Sequence, residues 1–421
     1  MAALSSTLGV DFGTSNSAAG VAVDGQPRLI DIEQGEQTLP TAVFFDFDEK
    51  QIVYGRPAQA ALIGGDEGRY MRALKSLLGT SLMRESQMLL GKRMDFIAIV
   101  GRFLGEVKQR AEAATGQKFD RALSGRPVMF HSSDPARNAQ ALTDLTECYH
   151  AAGFKDVRFM PEPEAAALAN RAYLKPGDLG LIVDIGGGTS DFTLFRQHGE
   201  AGIDILASNG LRLGGTDFDR QLSLAHVMPH LGMGSDIKHE FGSDTHVAPQ
   251  SMFADLATWQ KIPFLYTRET RRAAEDLVRH AVQPELLARL VAVLEDELGH
   301  DLAFAVEAGK IAANDPNGTA LPEIKLDMLE RGLHLPLPAA MMAATLAEMA
   351  GKIGAVAQDT VDQAGMKTED INKLIFVGGS SLMGVVDIAL RKAFPQAEVH
   401  QAAALTGVVD GLALAAATAF D

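Results

Sequence analysis

The chain has a single cysteine, Cys148, in 421 residues. One thiol excludes an intrachain disulfide and a cysteine-rich metal site. Its place in the helical pattern from Leu142 to Tyr149 makes it a packing residue. Positive charge is scarce as well: 38 Lys and Arg against 54 Asp and Glu leave a formal charge of −16. Nucleic acid and anionic membranes both require a basic face, so neither is expected as a partner, although a local basic patch inside a cleft is compatible with an acidic whole. No apolar stretch reaches the ~18–20 residues of a membrane span; the best candidate, Leu412 to Phe420, is too short and reads as a buried terminal helix. The start, Met1 to Leu8, lacks the basic segment of a secretory signal, and a cytoplasmic location is the expectation. The Walker pattern Gly-x4-Gly-Lys-Ser/Thr is missing, which disfavours a P-loop NTPase. No low-complexity tract or long linker is visible.

What is present is a motif written twice. Leu8-Gly-Val-Asp-Phe-Gly-Thr-Ser-Asn-Ser17 returns, altered, as Leu181-Ile-Val-Asp-Ile-Gly-Gly-Gly-Thr-Ser-Asp191. Each copy is an apolar run, a Val-Asp pair, an apolar residue, glycine, then Thr-Ser. Glycines let backbone approach closely and permit positive φ, and successive N–H groups in such a turn form a concave anion site. Thr14, Ser15, Thr189 and Ser190 add hydroxyls, while Asp11 and Asp184 put a carboxylate at each turn. Carboxylates beside phosphates point to Mg²⁺. A single Gly-Gly-Gly-Thr would mark no more than a tight turn; two related turns predict two related lobes sharing a di- or triphosphate and a metal. Each copy continues as a strand, Ala18 to Val23 and Asp191 to Phe195. The predicted element is a hairpin, not the strand–turn–helix of a dinucleotide site.

At 421 residues, 47% apolar and 22% charged, the chain is expected to form two or more globular lobes. Residues 8–54 read as strands and turns, with Thr41 to Phe45 a buried strand. Residues 57–115 read as mostly helical, including Arg69 to Gly79. Pro127 to Phe130 reads as a strand, Ala136 to Ala152 as a helix ending at Gly153, and Val157 to Met160 as a strand. Pro161-Glu162-Pro163 opens a helix, Pro and Glu being suited to a helix start. Lys175-Pro-Gly-Asp178 is a turn and a lobe boundary. Gly214-Gly215 is a second glycine turn, the stretch 220–320 is helix-rich, a helix covers about 338–364, and the strand Lys373 to Val377 runs into a third glycine turn, Gly378-Gly379-Ser380-Ser381. His226 and His230 fall four apart, but Pro229 and the lack of a third ligand favour surface histidines over a metal pair. Alternating strands and helices predict α/β lobes.

With these turns in hand, the chain resembles the nucleotide-binding domain of the heat-shock protein 70 (DnaK-like) family, within the actin, hexokinase and sugar-kinase superfamily, and most of all a short bacterial branch lacking the substrate-binding domain. The motifs stand in the family's order: Gly9 to Ser17, Leu74-Lys-Ser-Leu-Leu-Gly79, Pro161-Glu-Pro-x-Ala-Ala-Ala167, Val183 to Asp191, Leu213-Gly-Gly-x-Asp-Phe-Asp219 and Phe376-Val-Gly-Gly-Ser380. The resemblance implies a two-lobed actin-like α/β ATPase fold, with ribonuclease H-like five-stranded mixed sheets flanked by helices around a deep cleft. Lobe I would span 1–177 plus 403–421 and lobe II 178–402, with a helical insertion at about 220–330. It further implies that Asp11 and Asp184 organise Mg²⁺ through water. Gly13, Thr14, Ser15, Asn16 and Gly186, Gly187, Gly188, Thr189 would bind phosphate, with Asp191 beside them. Lys75 would stabilise charge on the γ-phosphate, and Glu162 would position water or relay the lobe switch. Gly214, Gly215, Gly378, Gly379 and Ser380 would complete the nucleotide site. Pro127 and Arg137 fall near the family's proline switch and its arginine, across a longer loop.

The departures from the family are informative. Glu307-x-x-Lys310 matches the pair that bonds ribose, but Ile311 and Leu382 stand where two arginines sandwich adenine. Aliphatic packing would retain the base while losing cation–π stacking of ~0.5–2 kcal/mol. The acidic residue the family has near Ala404-Leu405-Thr406 is missing. No peptide-binding β-sandwich or lid is expected after Asp421, and a chaperone role would then rest on half of a machine. The resemblance thus implies a slow ATPase using ATP/ADP and Mg²⁺, with K⁺ a further candidate ion, whose lobe closure is read by an unidentified protein partner or client. A non-hydrolysing nucleotide sensor, an actin-like filament protein and a small-molecule kinase stand as alternatives.

Overall fold

The computed structural model describes residues 5–198, 202–239, 244–318, 321–401 and 406–420. Each Val-Asp strand is the centre of a mixed sheet, and the two sheets share one topology. In the first, the order across the sheet is Asp156–Pro161, Arg121–Arg126, Thr7–Phe12, Asn16–Val23, Gln26–Leu29, with Thr38–Pro40 also pairing to Asn16–Val23. In the second it is Glu398–Gln401, Lys373–Val377, Leu179–Ile185, Ser190–His198, Gly202–Leu211. In chain order, each has three consecutive antiparallel strands, then two parallel strands added on the other side of the first. The duplicated motif is therefore the visible part of a duplicated sheet. Parallel additions need crossovers, supplied by the helices Pro135–Ala151 and Gly384–Ala393. Leu181, Ile182 and Val183 are fully buried at consecutive positions, as in a strand covered on both faces.

The helices Glu162–Asn170 and Gly407–Ala416 join the sheets. Ala165, Ala166, Ala167, Leu412 and Ala416 share one core with Leu123 of the first sheet and Ile182, Phe195 and Ile375 of the second. Small residues set this crossing. Any Cβ at Gly411 would collide with the Ala165 carbonyl, and one at Gly9 would lie 2.8 Å from the Ala413 nitrogen.

The chain divides into two compact units, 1–215 with 350–421, and 216–349. Both large sheets belong to the first, and the Lys175–Asp178 turn lies within it. The second carries the helices Arg268–His280, Pro284–Glu295 and Gly299–Asn314 with two small two-stranded sheets.

Three expectations are corrected. Arg69 to Gly79 is not helical: Gly68–Arg72 is a strand pairing with Ala42–Asp46 (Phe44 opposite Tyr70), followed by a 3-10 turn, Leu74–Leu77. Sheet pairing outweighs the local helical propensity of this segment. The strand expected at Pro127 to Phe130 lies upstream, at Arg121–Arg126, and stops where Pro127 has no N–H to continue the ladder. Finally, the helix Ala339–Gln363 has 25 residues and a mean hydropathy of 1.2 over its most apolar window, long and apolar enough to cross a membrane by length and composition. The sequence reading looked for an unbroken apolar run, which Glu348 and Lys352 interrupt. Its buried residues Met342, Leu346, Ala350, Ile353, Ala357 and Val361 recur every three or four positions, the stripe of a helix packed on one side against protein.

Candidate functional site: a nucleotide-phosphate cradle

The two hairpin turns face each other within the first unit. A Cβ at Gly187 would stand 2.5 Å from Ser15 Oγ, and one at Gly188 would stand 3.1 Å from Thr14 Oγ1 and 3.2 Å from Ser76 Oγ. Gly13, Gly186, Gly187 and Gly188 all keep φ out of the positive region. Their value is the missing side chain, and the positive φ expected of these turns is found instead at Gly378, with φ 79°.

Each turn is braced. In the first, Thr41 donates its hydroxyl to the Gly13 carbonyl (2.8 Å) and its N–H to the Ser15 carbonyl (2.9 Å), and it bonds Ser17 Oγ at 2.8 Å. Asn16 opens the returning strand, and its carbonyl closes against Gly13. In the second, Gly186 N–H donates to the Thr189 carbonyl at 3.0 Å, and Ser190 donates to the Leu213 carbonyl at 2.8 Å. The other glycine turns stack on it. Gly215 N–H donates to the Gly186 carbonyl at 2.9 Å. A Cβ at Gly214 would lie 2.6 Å from the Gly188 nitrogen, one at Gly215 would meet Ser380 Oγ, and one at Gly378 would lie 2.8 Å from Asp184 Oδ1. Gly379, Ser380 and Leu382 form the 3-10 turn that follows. Three glycine turns thus converge on one point.

Lys75 reaches this point from the 3-10 turn. Ala73 turns the chain there in a left-handed conformation, φ 59°, a strained state for a residue with a Cβ. The loop behind is tied down by Gly79 N–H to Asp144 Oδ2 (2.9 Å) and by the His131 ring to the Leu78 carbonyl (2.7 Å). Lys75 Nζ donates to Glu162 Oε1 at 2.6 Å, and both side chains are at most 10% exposed. Burial opposes the charge on Lys75, but Glu162 and Asp11 outweigh it and hold its pKa above the usual value.

Four carboxylates crowd around this one ammonium. Burial, then repulsion from Glu162, pushes Asp11 up to about 7. The same causes bring Asp191 to about 7 while its Oδ1 accepts Val128 N–H at 2.6 Å. Burial and the charges of Glu162, Asp191 and Asp11 raise Asp184 as well. This excess of negative charge fits a bound cation. Among the described residues no three His, Cys, Asp or Glu side chains converge as metal ligands, so the pair Asp11 and Asp184 suits an ion that keeps most of its water, as Mg²⁺ does.

The turns, Lys75, Ser76, His131 and Arg212 line one pocket of about 290 Å³, part of it open to solvent. Pro127 and Phe130 form its apolar side. The sequence reading missed Thr41, Ser76, His131 and Arg212; for Arg212 the signal was its place two residues before Gly214. Arg137 is half exposed and paired with Asp134 at 3.8 Å, away from this lining.

The expected ribose residues lie in the second unit, on the helix Gly299–Asn314. Lys310 is buried, its Nζ 2.6 Å from Asp219 Oδ1. Glu307 is half-buried one turn before it, and Ile311 is 62% exposed. In the first unit, Leu382 is 44% exposed. His226 is half-buried and bonds Thr345 Oγ1 at 2.9 Å. Ala404 and Leu405, where the family's acidic residue is missing, lie outside the described residues.

Duplicated mixed sheets, each ending in a glycine turn beside an aspartate, with a buried Lys–Glu pair at their junction, define an actin-like nucleotide-binding fold. A model of the Hsp70 protein family matches residues 7–88 and 81–240, and the chain belongs to that family. It is similar to the chaperone protein DnaK of Methanothermobacter thermautotrophicus, 26% identical over 392 residues that make up 92% of this chain and 55% of the relative. The chain therefore spans just over half the length of that curated protein.

Proposed function

We propose that the chain binds ATP with Mg²⁺ and hydrolyses it slowly, and that the lobes 1–177 with 403–421 and 178–402 close on ATP and relax with ADP. The observation that carries this reading is the buried Lys75–Glu162 pair, 2.6 Å long, whose lysine lines the pocket with Thr14 of one glycine turn and Gly188 and Thr189 of the other. Thr14, Ser15 and the turn Gly186 to Thr189 hold the phosphate chain. Lys75 lies against the terminal phosphate and stabilises charge developing there. Glu162, with Oε1 fixed by Lys75, turns its other oxygen toward the attacking water. Mg²⁺, when bound through water to Asp11 and Asp184, neutralises phosphate charge. Water's oxygen bonds to the γ-phosphorus, the bond to the bridging oxygen breaks with its electron pair leaving on ADP, and water's proton passes to solvent.

Glu307 serves the ribose in this reading, with Lys310 fixed by Asp219, and Ile311 and Leu382 supply no cation for the base. A chaperone-like role follows from kinship to a protein named as a chaperone, and a protein client and a cytoplasmic location are proposed with it. Phosphate release from Mg·ATP by the purified chain, with ATP binding followed by calorimetry, tests it: turnover abolished in Lys75→Ala with binding retained supports the ATPase, whereas binding without turnover replaces it by a nucleotide sensor.

A further inference from the structure

We propose that Arg212 is a second cation for the terminal phosphate, binding its oxygens and stabilising their charge as the phosphoryl group passes to water. Arg212 directly follows the strand Gly202–Leu211 and lines the pocket with Lys75, Thr14, Gly188 and Thr189. Its Nη2 donates to the Ser76 carbonyl at 2.9 Å, so it reaches from the second sheet to the turn that carries Lys75. Its backbone is held in register with the phosphate turn. The next residue, Leu213, accepts from Ser190 at 2.8 Å, and Gly214 is pressed against the Gly186–Gly188 backbone.

The two cations of the pocket differ in what they already hold. Lys75 is paired with Glu162. Arg212 meets a neutral carbonyl and, among the described residues, no carboxylate within ion-pair distance. A guanidinium has five N–H donors in a planar fork suited to phosphate oxygens, and a bond to one carbonyl leaves most of the fork available. The charge of Lys75 is already met by Glu162, so a nucleoside triphosphate entering the pocket needs this second cation. The bond to Ser76 is the resting contact, given up in part when the γ-phosphate enters. The reaction is unchanged from the one above: one P–O bond to water forms, the P–O bond to ADP breaks, and the proton leaves to solvent. Arg212 neither gains nor loses a proton.

This inference rests on the ATPase reading, and the test separates the two. Wild type, Arg212→Ala and Arg212→Lys are compared for phosphate release and for ATP and ADP affinity by calorimetry, with Lys75→Ala as the control for the parent reading and thermal melts as the control for folding. Arg212→Ala is expected to lower kcat at least tenfold and weaken ATP at least fivefold while ADP changes less than twofold, because only the γ-phosphate is lost as a partner. Arg212→Lys restores part of the ATP affinity. Unchanged turnover and an unchanged ATP:ADP affinity ratio in a folded Arg212→Ala protein overturn the inference alone, as does an equal loss of both nucleotides. If wild type binds ATP without turnover, the affinity ratio still decides the role of Arg212; if it binds neither nucleotide, both readings fall.

Discussion

Removing Lys75 should cost far more stability than removing Glu162, although the two form one ion pair. Both side chains are at most 10% exposed and meet at 2.6 Å. Breaking a buried pair from one side typically costs about 3–5 kcal/mol, because the abandoned charge stays buried. The neighbours make this pair asymmetric. Lys75→Ala leaves Glu162 facing Asp11, Asp184 and Asp191 with no cation between them, so the full penalty of about 3–5 kcal/mol applies at pH 8. Glu162→Gln leaves Lys75 opposite Asp11 and Asp191, which already raise its pKa, and it relieves the repulsion that Glu162 exerts on three aspartates. Its cost should be under about 1 kcal/mol. Urea unfolding of the nucleotide-free, metal-free protein, followed by circular dichroism, reads the difference; a slope of about 2–3 kcal/mol/M turns 3–5 kcal/mol into a midpoint shift of about 1–2.5 M. The Lys75→Ala penalty should shrink at pH 6, as the crowded carboxylates take up protons. Equal costs for the two variants, or a Lys75→Ala penalty that does not depend on pH, would refute the electrostatic reasoning.

Other consequences can be measured independently. Gly411→Ala places a methyl against the Ala165 carbonyl, backbone against backbone; overpacking of this kind costs about 1–3 kcal/mol, and an unchanged melting temperature would show that the helices do not cross this closely. Asp191 titrates at about 7 in the folded chain against an ordinary 3.8. The native state then keeps a proton that the unfolded chain has released, so nucleotide-free stability falls as pH rises from about 4 to 7 and levels off above. Asp191→Asn should flatten that slope in urea titrations across the window, and an unaltered slope would exclude the group. Gly187→Ala sets a Cβ 2.5 Å from Ser15 Oγ and 3.0 Å from Thr14 Cβ and should weaken ATP at least tenfold by calorimetry; unchanged affinity would show that this turn does not meet the phosphates. Ile311→Arg should tighten adenine nucleotides by ~0.5–2 kcal/mol through cation–π stacking; no gain for ATP over GTP would count against Ile311 lying beside the base.

The fold was legible because its signals are local and repeated. Val183-Asp184-Ile185 followed by three glycines specifies a hairpin turn, and Val10-Asp11-Phe12 followed by the single Gly13 specifies its twin. The site was legible where chemistry and turn coincide, as at Thr14, Gly187 and Asp184. It was hidden where long-range packing decides. Nothing in Arg69 to Gly79 announces that Tyr70 pairs with Phe44, and without that strand the left-handed turn at Ala73 that presents Lys75 cannot be foreseen. Thr41 read as a strand residue, yet its hydroxyl and N–H both brace the first phosphate turn. Arg212 sits among polar residues at a strand end, and only the spatial approach of Ser76 gives it a place in the pocket.

The central claim is that two glycine turns and Lys75 form an ATP-hydrolysing site. Steady-state phosphate release from Mg·ATP by wild type, Lys75→Ala and Asp184→Asn, alongside calorimetric binding, tests it most directly. The account predicts measurable turnover in wild type and its loss in Lys75→Ala with ATP still bound. Phosphate release by wild type no greater than by the two variants, with ATP bound by all three, would contradict it.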